Sequence, residues 1–267
     1  MFNQSSNRQE EIAVYNALES RFGTSSEPAL QEQVAKALVN KSIALSQLES
    51  FEEAVAVCDL VDSRYGTSPE PALLVQVAMA LVNKGFALGQ LERLGEAVAV
   101  YDLVESRYGT SLEPALREQV AKALVNKGIA LSQLESFEEA VAVCDLVDGR
   151  YSTSSEPALL ENVAKALVNK CVTLNQLGNY EEAVVVCDLV ESRYSTSLES
   201  ALREQVAKAL VNKGFALGQL RSFEEAVVVC DLVESRYGTS PERVLQNQLA
   251  KAKELKKMIR EAISDMS

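Results

Sequence analysis

The side chains able to do chemistry here are five cysteines, many paired carboxylates and a series of Ser/Thr-rich loops; the chain has no histidine. Histidine is the commonest general base and metal ligand, so nucleophilic and metal-assisted chemistry lose their usual partner. Cys58, Cys144, Cys187 and Cys230 fall at one repeated position, which Tyr15 and Tyr101 fill in other copies. Interchange of Cys with Tyr is a packing substitution and marks a core position. Cys171 stands where other copies carry Gly or Ser, at a close helix contact. Copies 43 residues apart lie beyond the roughly 7 Å reach of a disulfide, and five is an odd number. Reduced thiols and a cytoplasmic setting are therefore expected. No CxxC pair offers a metal site. Carboxylate pairs such as Glu52-Glu53 and Glu138-Glu139 open helices, where acids complement the dipole. The Gly-Thr-Ser and Ser-Thr-Ser loops stop and start helices and have neither a base nor an oxyanion partner. No Gly-rich phosphate loop occurs. The expectation is a chain with no enzymatic activity, no metal and no cofactor.

The scaffold around these residues is acidic and apolar enough to fold. Among 267 residues, 26 are basic and 38 acidic, a net charge of −12 that disfavours nucleic acid and anionic lipid. An apolar share of 47% supports a packed core. No run approaches eighteen apolar residues, which predicts no membrane-spanning helix. The start, MFNQSSNRQEE, carries no apolar signal core.

Self-comparison gives the organisation. The string VAKALVNK begins at Val34, with near-copies at Val77, Val120, Val163 and Val206 and a degenerate one at Leu249. The spacing is 43 residues throughout, and the block from Val34 to Gln76 matches that from Val120 to Asn162 at 37 of 43 positions. A globular core gives every position a different neighbourhood and would not tolerate such copying; a stack in which each unit sees only its neighbours would.

Each unit reads as two helices. The first covers Ser68 to Leu91, with Ser68 as cap, Pro69 and Pro71 in the first turn, and a stripe of Leu73, Val77, Leu81, Leu88 and Leu91. The second covers Leu94 to Tyr108, with Ala97, Val100, Tyr101, Val104 and Tyr108 on its apolar face. Residues 1–26 form a half-repeat whose Glu10 to Phe22 matches second helices. Residues 27–237 hold five full units, and residues 238–267 a capping helix in which Lys253 and Glu254 replace Leu210 and Val211. Twelve helices are expected, and no strand.

The stretch ALVNKGIALSQLESFEEAVAV at 123–143 resembles the tetratricopeptide repeat (TPR), with Leu124, Gly128, Leu131, Phe137 and Ala140 at the matching offsets. The fourth unit is nearest at its turn, Leu177-Gly178-Asn179-Tyr180, followed by Ala183. The match covers about thirty residues of each unit and recurs five times. The 43-residue period exceeds the family's usual 34, and its Trp is replaced by Leu38, Leu81, Leu124, Leu167 and Leu210. The resemblance implies an all-α solenoid of stacked antiparallel helix pairs wound as a right-handed superhelix, with the first helices lining a concave groove.

At 100° per residue, Lys36, Asn40, Ile43 and Gln47 share one side of the first helix, opposite Ala37, Leu38, Leu45 and Leu48. The polar side recurs as Asn40, Asn83, Asn126, Asn169 and Asn212; as Gln47, Gln90, Gln133, Gln176 and Gln219; and as Lys36, Lys122, Lys165 and Lys208, broken by Met79. Ile43, Phe86, Ile129, Val172 and Phe215 lie between them. An Asn side chain matches a backbone amide as both donor and acceptor. With units about 10 Å apart and an extended chain rising about 3.3 Å per residue, one Asn meets roughly every third ligand residue. The resemblance implies the same role for these Asn residues and a carboxylate-gripping role for the Lys. A structural role for both ladders remains open.

A second series, Lys41, Lys84, Lys127, Lys170 and Lys213, lies within the apolar arc and needs acidic partners, for which Asp59 and its copies or Glu53 and its copies are the candidates. The leading function is a protein-interaction scaffold that holds a protein or peptide, acidic or repetitive, in its groove. Self-assembly through the open N-terminal face at Val14, Ala17 and Leu18 is an alternative, as is membership of a larger multidomain protein.

Overall fold

The computed structural model describes residues 2–265, with side chains from 7 to 264. Among the described residues there are twelve α-helices and no strand. They fall into two compact bodies, residues 1–135 and 136–267. The first holds α1 (Phe2–Phe22), α2 (Pro28–Gln47), α3 (Phe51–Tyr65), α4 (Pro71–Gln90), α5 (Leu94–Tyr108) and α6 (Pro114–Gln133). The second holds α7 (Phe137–Tyr151), α8 (Pro157–Leu177), α9 (Tyr180–Tyr194), α10 (Ser200–Gln219), α11 (Phe223–Tyr237) and α12 (Arg243–Asp265).

Each body is two layers. In the first, α2, α4 and α6 pack side by side, α3 and α5 lie in the gaps between them, and α1 packs against α2. In the second, α8, α10 and α12 form the corresponding layer over α7, α9 and α11. Chain neighbours are also spatial neighbours, as expected of an α-solenoid. The layers meet through alternating small and large side chains. Ala78, Ala80, Leu81 and Ala97 are fully or almost fully buried, and so are their copies Ala121, Ala123, Leu124 and Ala140. The predicted apolar arc is therefore the packing face.

The first helices begin later than the sequence reading has them. In Ser-Pro-Glu-Pro, both residues that precede a proline are pushed out of the helical region. Glu70 is accordingly extended, at φ −79°, and Pro71 starts α4. Ser68 does not cap the helix. Its hydroxyl accepts a hydrogen bond from the Glu70 N–H at 3.2 Å, and Ser25, Ser111, Ser154, Ser197 and Ser240 repeat this turn. The helix has 20 residues and spans about 30 Å. The tight turn into each second helix needs a left-handed residue. Gly178 (φ 76°) supplies it once, but Glu49, Glu92, Glu135 and Arg221 adopt φ near 60° elsewhere.

Two further expectations are corrected. With Val75 and Met79 in place of Glu and Lys, α4 is long and apolar enough to cross a membrane by length and composition. More than half of that stretch is buried within the fold, which is what a core helix requires. The thiols are also not all reduced: Cys171 on α8 and Cys187 on α9 form a disulfide with Cα atoms 6.3 Å apart. The pairing lies within one unit, between a first-helix and a second-helix position, so the 43-residue spacing does not forbid it. Cys58, Cys144 and Cys230 are free and buried.

Candidate functional site

The Lys series inside the apolar arc frames the first-helix face. Lys84 pairs with Asp59 at 2.5 Å and Lys170 with Asp145 at 2.8 Å; Lys127 with Asp102, Lys213 with Asp188 and Lys256 with Asp231 repeat the pair. Each links a first helix to the second helix 25 residues upstream. The lysine stems are largely buried and the carboxylates half exposed, so the ammonium snorkels to the edge of the core. Burial draws the Lys170 ammonium down, but Asp145 and Glu182 outweigh it and hold it above the ordinary lysine range. Lys41 has Asn16 at the place of the aspartate and makes no ion pair among the described residues.

The opposite face carries the ladders. Asn40 is exposed, and Asn83, Asn126, Asn169 and Asn212 are half-buried. They are not equivalent. Asn83 donates to the Ser42 hydroxyl at 3.2 Å, Asn126 hydrogen-bonds the Tyr101 hydroxyl, and Asn212 donates to the Lys208 carbonyl at 2.9 Å. The Asn169 amide nitrogen is buried with no hydrogen-bond partner among the described residues. Gln90, Gln133 and Gln176, like Gln47 and Gln219, are exposed. Between the ladders, Ile43, Phe86 and Ile129 in the first body are 38%, 47% and 40% exposed, and Val172 and Phe215 in the second are 38% and 40% exposed.

The predicted Lys ladder is engaged within its own helices. Lys36 pairs with Glu32 at 3.1 Å, Lys122 with Glu118 at 2.6 Å, Lys165 with Glu161 at 2.6 Å and Lys208 with Glu204 at 2.8 Å, each one turn apart. Such exposed pairs are worth about 0.3–0.5 kcal/mol, so they bias these side chains without locking them. The sequence reading missed Lys251, the next member of the ladder. Asn247 stands where the glutamates stand, and Lys251 is exposed and forms no ion pair among the described residues. In the second body, Lys251 and Lys208 border a cavity of about 480 Å³ between α8, α10 and α12. Its other walls include Asn169, Asn212, Val172 and Phe215.

The free thiols offer no competing chemistry. Burial pushes Cys58 and Cys144 up to about 12 and Cys230 up to about 11, so all three are neutral near pH 7.

No protein-family model and no curated protein matches the sequence. Solved structures do match the fold. BtubC (BKLC) from P. vanneervenii superposes with a TM-score of 0.62 at 17% identity, covering 90% of this chain and 94% of that one. A tetratricopeptide repeat protein from Parabacteroides merdae gives 0.51 at 14%, covering 93% and 94%. Computationally designed armadillo repeat proteins for modular peptide recognition give 0.50 at 16%, covering 91% and 98%. At these identities the likeness concerns the fold alone, and the fold is an all-α, TPR-like repeat solenoid.

Proposed function

We propose that the chain is a protein-interaction scaffold whose first-helix faces bind an extended peptide or partner segment. One observation carries the reading: Ile43, Phe86 and Ile129, and in the second body Val172 and Phe215, stand at one repeat register, two-fifths or so exposed, on a face otherwise lined by Asn and Gln. Apolar side chains grouped in this way and rimmed by amides suit a ligand that brings both side chains and backbone polar groups. The reading is supported by a fold-level likeness to armadillo repeat proteins computationally designed for modular peptide recognition.

In the second body the ligand is acidic. Lys251 lacks the intrahelical glutamate that occupies its counterparts, so its charge is available beside Asn169 and Asn212. The test is capture from lysate by wild type and by Asn169→Ala/Asn212→Ala/Lys251→Glu, with circular dichroism on both. A partner held by wild type and lost by the folded variant supports the reading. Equal capture by both removes it.

A second reading rests on Val14, which is 61% exposed on α1, whereas its copies Val57, Val100, Val143, Val186 and Val229 are buried. Self-association through this face predicts a dimer or larger species in light scattering that Val14→Lys converts to monomer.

A further inference from the structure

The segments Gly85-Phe86-Ala87-Leu88-Gly89-Gln90 on α4 and Gly214-Phe215-Ala216-Leu217-Gly218-Gln219 on α10 are identical in sequence, yet their surroundings differ. Over the α10 copy, α12 brings Leu255 and Ile259. A Cβ built on Gly218 would lie 3.7 Å from Ile259 Cγ1, one on Gly214 would lie 3.2 Å from Leu255 Cδ2, and Ile259 is 4% exposed. The equivalent positions on α6 are Asn126 and Ala130. A Cβ on Gly89 would meet nothing within 4 Å. The second helix is trimmed too: Leu94 stands where Phe51, Phe137 and Phe223 carry a ring. The result is a cavity of about 150 Å³ between α4, α5 and α6, walled by Gly89, Leu94, Ala97, Tyr101, Ile129 and Ala130. None of the residues that line it is charged.

We infer that this notch is the seat for one uncharged apolar side chain of a bound peptide, of isoleucine, leucine or phenylalanine size. The protein supplies its own precedent, since Ile259 occupies the matching position over Gly218 and is buried there. The size agrees: an apolar cavity of about 150 Å³ takes up benzene. The absence of charge in the lining excludes Lys, Arg, Asp and Glu side chains, which would enter unpaired. The rim includes Phe86, Gln90, Asn126 and Gln133, so the notch opens among the residues assigned to peptide binding. The inference deepens the groove reading by naming what one point of the groove selects, and it fails separately from it.

The test is amide NMR of the full chain titrated with three capped tripeptides, acetyl-Gly-X-Gly-amide with X as Ile, Glu or Lys. The Ile peptide is expected to shift the Gly85, Gly89 and Ala130 amides, and the Glu and Lys peptides to leave them in place. Two variants fill the notch from opposite sides with residues the repeat already uses, Ala130→Ile and Leu94→Phe. Each is expected to weaken the Ile peptide at least tenfold while circular dichroism stays as in wild type. No shift at Gly85 and Gly89 with the Ile peptide, equal shifts with all three peptides, or undiminished binding by either folded variant overturns the inference. Peptides that bind elsewhere on the first helices while the notch stays silent sink the notch and leave the groove standing.

Discussion

Lys84 on α4 reaches back to Asp59 on α3 across 2.5 Å, and the same pair recurs 25 residues apart at Lys127–Asp102, Lys170–Asp145, Lys213–Asp188 and Lys256–Asp231. It fixes each first helix against the preceding second helix at the edge of an apolar seam. Lys41 is the exception, because Asn16 replaces the aspartate. Asn16→Asp is expected to restore the pair and raise stability by about 0.2–1 kcal/mol, the range of exposed ion pairs. Urea denaturation of the two proteins at low and high salt checks it, and the gain should shrink at high salt. A gain that is absent at low salt contradicts the assignment.

The left-handed turn residues give a second prediction. Glu92 sits at φ 59° and Glu49 at φ 60°, where a side chain is strained and glycine is not. Glu92→Gly should stabilise by about 0.5–1 kcal/mol, and Gly178→Glu should cost a similar amount. Thermal melts of both variants provide the comparison. Opposite signs would show that another contact governs the turn.

The cysteines give a third. Burial raises Cys58 and Cys144 from the ordinary thiol value near 9.0 to about 12. A raised pKa contributes stability that is whole below pH 9 and is lost as pH climbs toward 12. The urea midpoint should therefore hold up to pH 9 and fall above it. At pH 8 a bulky maleimide should leave native Cys58, Cys144 and Cys230 unlabelled, and rapid labelling would contradict their burial. Cys171 and Cys187 close a loop of 16 residues, for which the chain-entropy effect is about 3 kcal/mol. Reducing agent should lower the denaturation midpoint accordingly, with no such shift in Cys171→Gly.

Packing gives a fourth. Leu81 and Leu124 are essentially unexposed between the layers. Truncating either to Ala should cost about 2–5 kcal/mol, and Leu124→Asp should prevent cooperative melting. A normal melt for Leu124→Asp would mean that the helix phase is wrong.

The repeat, the helix pairs, the packing face and the burial of the Cys series were legible in the sequence, because they follow from spacing and from the interchange of Cys with Tyr at one repeat position. Position 38 and its copies had to face the core once the 3.6-residue period was recognised. The later helix start was also in the sequence, in the two prolines of Ser-Pro-Glu-Pro, but the sequence reading placed both inside the helix. Other features depend on partners that spacing cannot supply. The aspartate of each Lys–Asp pair was one of two candidates until the helices were docked. The disulfide required Cys187 to face the one first helix with Cys171 at its glycine position. The availability of Lys251 was written in Asn247, yet it gained meaning only when Lys36, Lys122, Lys165 and Lys208 proved to be paired within their helices. The notch between α4, α5 and α6 needs three helices at once: Gly89, Leu94 and Ala130 are small or trimmed in the sequence, but only docking brings them together.

The central claim is that the first-helix faces bind extended peptide, and selection of a random peptide library on the purified chain tests it most directly. Selected peptides would be titrated by calorimetry against wild type and against Phe86→Ala/Asn126→Ala and Asn212→Ala/Phe215→Ala, each with circular dichroism. The account predicts peptides whose affinity falls at least tenfold in one of the two variants without loss of helix. Peptides that bind wild type and both folded variants equally would place recognition elsewhere and contradict it.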